Sequence, residues 1–151
     1  MQNTKTETHS IGRLLIALAF LGIAIFPLFY WFDQDHFSSA DWHIHARFHM
    51  LWKTLLMIMG GGLGLWIIAQ KWIPSTARSI TRWVPVIIWT SHFVCSLIMA
   101  ILFEENAFPH HDKKVMGLTV ADIGIGLVLI IGTLGAILDR RAESLEKVAH
   151  S

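Results

Sequence analysis

The chain has 151 residues, 54% of them hydrophobic and 15% charged, with a mean hydropathy of +0.52; soluble domains carry roughly 25% charged residues, so the balance is that of a membrane protein. A formal net charge of +1, without a basic cluster interleaved with aromatics, excludes nucleic acid as a partner. The length fits a single domain, and the lone cysteine, Cys95, lies in an apolar block and reports no redox compartment.

Apolar residues fall into four blocks. From Leu14 to Phe32 nineteen residues carry no charge, enough to cross a bilayer, which takes roughly 17 to 25; the first span is placed at about 13–32. It is longer than a signal-peptide core and has no small-x-small cleavage site behind it, so it is expected to be an uncleaved anchor. Pro27 is expected to kink it, and Tyr30 and Trp31 to mark its interface. A polar loop, Asp33 to Asp41, leads to a second helix over Trp42 to Gln70, with the span at 46–70. Gly60, Gly61, Gly62 and Gly64 lie near its middle and predict close helix approach on a Gly60-to-Gly64 spacing, with an unwound functional segment as the alternative.

Lys71 to Arg82 reads as a basic connection. The third span, 83–104, has His92 at its centre and ends on Glu104 and Glu105. After a loop containing His110 and His111, the fourth span, 115–138, carries Asp122 within its apolar run. Residues 139–151 form a polar tail, expected to continue as helix over the membrane surface. The fold expected is an all-α polytopic membrane protein, a bundle of four transmembrane helices with both termini on one side.

Four spans would put eight of the twelve lysines and arginines on the side of the termini, which predicts cytoplasmic termini in a bacterial inner membrane. His36, His43, His45, His49, His110 and His111 then gather on the outer side with Asp33, Asp35, Asp41, Glu104, Glu105 and Asp112.

That concentration defines the candidate site. Trp42, His45, His49 and Trp52 recur at helical spacing and share a face. An ionisable group inside a span costs roughly 2.5 to 3.5 kcal/mol and is usually paired, so Asp122 needs Arg47, a histidine or a metal. Candidate metal ligands are His45, His49, Asp122, Glu104, His110 and His111; candidate catalytic groups are Arg47, Glu105 and Asp122; His92 is a candidate cofactor ligand. Histidine with carboxylate suits iron or zinc, and Met50, Met99 and Met116 add copper. The bland readings are interfacial histidines, an Asp122–Arg47 ion pair and a His92 hydrogen bond between helices.

His45-Ala46-Arg47-Phe48-His49 has the HxxxH spacing of the first histidine box of membrane fatty acid desaturases and hydroxylases, but Ala107 stands where the second box needs histidine and no third box exists, which excludes membership. The same five residues followed by Trp52 resemble a motif of small multi-pass membrane proteins of bacteria and fungi. The resemblance implies a four-helix membrane fold and no activity.

The function expected is an intramembrane, metal-dependent enzyme, an oxidoreductase or isomerase, acting on an apolar or lipid-like substrate from an outward-facing site. A metal-free version would move a proton between a histidine and a glutamate, as in sterol isomerases. The alternatives are a b-type haem protein with His49 and His92 as axial ligands, a proton or ion pathway relayed by Asp122, and an accessory subunit of a larger complex or homo-oligomer.

Overall fold

The computed structural model describes residues 2–31, 44–70, 74–103, 114–115 and 118–150. Among them the order is α1 (Gln2–Trp31), α2 (Ile44–Ala69), α3 (Ser75–Phe103), β1 (Lys114–Val115), β2 (Leu118–Thr119) and α4 (Val120–His150). Three stretches of the described residues are long and apolar enough to cross a membrane: Ile11–Leu28 in α1, Arg47–Ala69 in α2 and Ile123–Leu145 in α4.

The helices outrun the apolar blocks. α1 starts at Gln2, α3 at Ser75 instead of Trp83, and α4 runs through the polar tail to His150. Arg, Glu, Leu, Ala and Lys are good helix formers, so charge ends a hydrophobic run without ending the helix. Pro74 and Ser75 start α3, and the Arg78 amide donates to the Pro74 carbonyl at 3.0 Å, inside the segment expected to be a connection. The fourth helix is corrected at its other end. Residues expected to open it form an antiparallel pairing, Lys114 opposite Thr119 and Val115 opposite Leu118, and β-branched Val115 and Thr119 suit extended backbone. Asp122 thereby falls in the first turn of α4, not within a helix already under way.

By contacts the chain divides into two compact units, one of residues 1–19 with 74–151, the other of residues 20–73. In the first, small residues let α1 and α4 approach closely. A Cβ on Gly12 would sit 2.6 Å from the Asp139 amide nitrogen, and one on Gly135 2.9 Å from that of Ile16. Ala19 and Ala136 are fully buried. Trp89 of α3, also fully buried, donates its indole N–H to the Ala19 carbonyl at 3.2 Å.

The same unit buries charge. Arg82 donates from Nε and Nη2 to Asp139 Oδ2, each at 2.7 Å, and from Nη2 to Glu143 Oε2 at 2.6 Å. Lys147 reaches Glu143 Oε1 at 3.0 Å. The Arg82 and Asp139 side chains are 3% and 2% exposed, so residues expected in a basic loop and a polar tail join two helices instead.

In the second unit α2 packs through Thr54, Met57, Gly61 and Gly64, a stripe of three- and four-residue steps. A Cβ on Gly61 would lie 2.7 Å from the Ala24 amide nitrogen and 2.8 Å from the Phe20 carbonyl oxygen, and one on Gly64 would overlap the buried Phe20 ring. Around Gly60 and Gly62 nothing lies within 4 Å. The close approach thus uses Gly61 with Gly64, not Gly60 with Gly64, and the backbone is helical throughout, without an unwound segment.

Two outcomes follow for detergent-purified protein followed by thermal unfolding. Gly61→Ala and Gly135→Ala overpack backbone against backbone and lower stability by about 1–3 kcal/mol, whereas Gly60→Ala and Gly126→Ala, with open space around them, are neutral or stabilising by up to about 1 kcal/mol. Arg82→Met takes two hydrogen bonds from the buried Asp139 carboxylate and costs about 3–5 kcal/mol, and adding Asp139→Leu recovers most of it; a double variant no more stable than the single one would show that the pair does not act as a unit.

Candidate functional site

α2 opens on the histidine segment. The ring nitrogens His45 Nε2 and His49 Nε2 are 3.0 Å apart, with ring centroids 4.4 Å apart at 88°. Their four-residue separation places them one turn apart on one face. Trp52 continues that face, its ring 6.5 Å from His49, and Phe48 lies 5.8 Å from His49 on the other side. The apolar stretch of α2 begins at Arg47, between the two histidines, so the pair straddles the end of the candidate span.

This face is not the one that packs. Stepping by four and three, His45, His49, Trp52, Leu56, Met59, Leu63 and Trp66 are all exposed, while the packed stripe of Thr54, Met57, Gly61 and Gly64 lies on the far side of the helix. Arg47 is two residues from each histidine and so shares a face with neither; it is half-buried.

As they stand the imidazoles share one N–H···N bond, with one Nε2 protonated. Both Nε2 atoms become donors to an ion when the rings carry their protons on Nδ1. At metal–nitrogen distances of about 2.0–2.1 Å, two nitrogens 3.0 Å apart subtend close to a right angle at the ion, a geometry for adjacent ligands. Helical spacing thus supplies half of a four-coordinate set. Among the described residues no group of three or more His, Cys, Asp or Glu is placed to hold a metal.

His92 lies in α3, half-buried beside Trp89, whose ring is 5.9 Å away. Its Nδ1 is 3.3 Å from the Ile88 carbonyl. A carbonyl only accepts, so Nδ1 donates and the lone pair of the neutral ring sits on Nε2, the usual ligating atom. Glu104, Glu105, His110 and His111 lie outside the described residues, as does the side chain of Asp122, whose backbone opens α4. The structure therefore brings His45 and His49 together on one face and puts Arg47 on another.

The charged group that sequence reasoning missed is Arg82 with Asp139 and Glu143. A signal existed: Asp139 follows an apolar run and Arg82 precedes one, so two adjacent spans would set them at the same depth. No protein-family model, curated protein or solved structure matches the chain.

Proposed function

We propose that this chain is an integral membrane protein of four spans that binds a transition metal ion, iron, zinc or copper, through His45 and His49 and uses it on an apolar or lipid-like substrate. The observation that carries the reading is the 3.0 Å separation of the two Nε2 atoms at the edge of an apolar span. An imidazole pair on an exposed face at that edge is costly to leave against hydrocarbon, and an ion repays the cost. The sequence offers Glu104, Glu105, His110, His111 and Asp122 as further ligands and acid/base groups. A metal held there would supply Lewis-acid chemistry to a substrate oxygen or a water. Arg47 orients a substrate or a ligand carboxylate. The fourth span is α3, with twenty-one residues from Trp83 to Phe103 free of Asp, Glu, Lys and Arg. The distribution of lysine and arginine supports cytoplasmic termini and outer histidine loops in a bacterial inner membrane.

The competing reading is a b-type haem held by His49 and His92; a hydrogen bond from His92 Nδ1 to the Ile88 carbonyl puts the ring's lone pair on Nε2, the usual haem-ligating atom. Metal analysis and an absorption spectrum of detergent-purified protein separate the two. The expected result is near one metal ion per chain without a Soret band, with the metal lost in His49→Ala and in Asp122→Asn while both variants remain folded in the membrane fraction. A Soret band that disappears in His92→Ala selects haem. Protein that takes up no metal on supplementation, or variants that keep it in full, sink the metal reading.

A further inference from the structure

We draw no further inference here: the strongest candidate, the exposed apolar face of α2 that runs from Phe48 through Trp52, Leu55 and Met59 to Trp66, carries nothing because nothing in the structure shows what covers it.

Discussion

The Asp139 carboxylate, almost wholly buried where the apolar run of α4 gives way to its charged half, constrains everything around it. Taking an ionised carboxylate from water costs several kcal/mol, and only a partner of good geometry offsets that. Arg82 supplies two donors to a single carboxylate oxygen and a further bond to Glu143. The geometry holds only if α3 and α4 keep their register, because the guanidinium must reach carboxylates one turn apart on α4. The ion pair is thus less a source of net stability than a selector of one register among those that apolar packing alone would tolerate.

Close backbone approach is the second constraint, and α1 meets it twice. Against α4 it presents Gly12, Ile16 and Ala19 to Gly135 and Gly132; against α2 it presents Phe20 and Ala24 to Gly61 and Gly64. Helices in hydrocarbon gain little from burying apolar surface, so contact must come from dense packing, and glycine permits it. Leucine-rich faces with no such partner stay exposed, as Leu55, Leu56, Leu63, Leu127 and Leu134 do, and are the surface a lipid solvates.

What was legible in the sequence follows from which physical signal each feature leaves. The helices and three of their spans are written in hydropathy, a signal summed over about twenty residues and hard to miss. The glycine contact was legible as a segment but not as a face: Gly60 and Gly64 share a helix side only as well as Gly61 and Gly64 do, and the choice depends on where Phe20 of another helix lies. The Arg82–Asp139 pair was misread because each residue, taken alone, looks like the solvated end of a span, and only their joint depth shows otherwise. The start of α4 was misplaced because Val115 and Leu118 are as apolar as a helix interior, while β-branched Val115 and Thr119 favour extension. Of the candidate site, the pairing of His45 with His49 could be read from spacing alone; which face of α2 it occupies could not.

That face matters for the chemistry. A histidine pair opposite the packed stripe of α2 does not contribute to holding that helix against α1, so packing within that unit does not account for it. Exposed alongside Trp52 where the apolar stretch of α2 begins, the two rings stand where the helix passes from polar to apolar sequence. The N–H···N bond between the neighbouring imidazoles satisfies one donor and one acceptor. What the fold sets is the separation of the two rings, since helical rise places them one turn apart on a single rigid element, as their spacing requires.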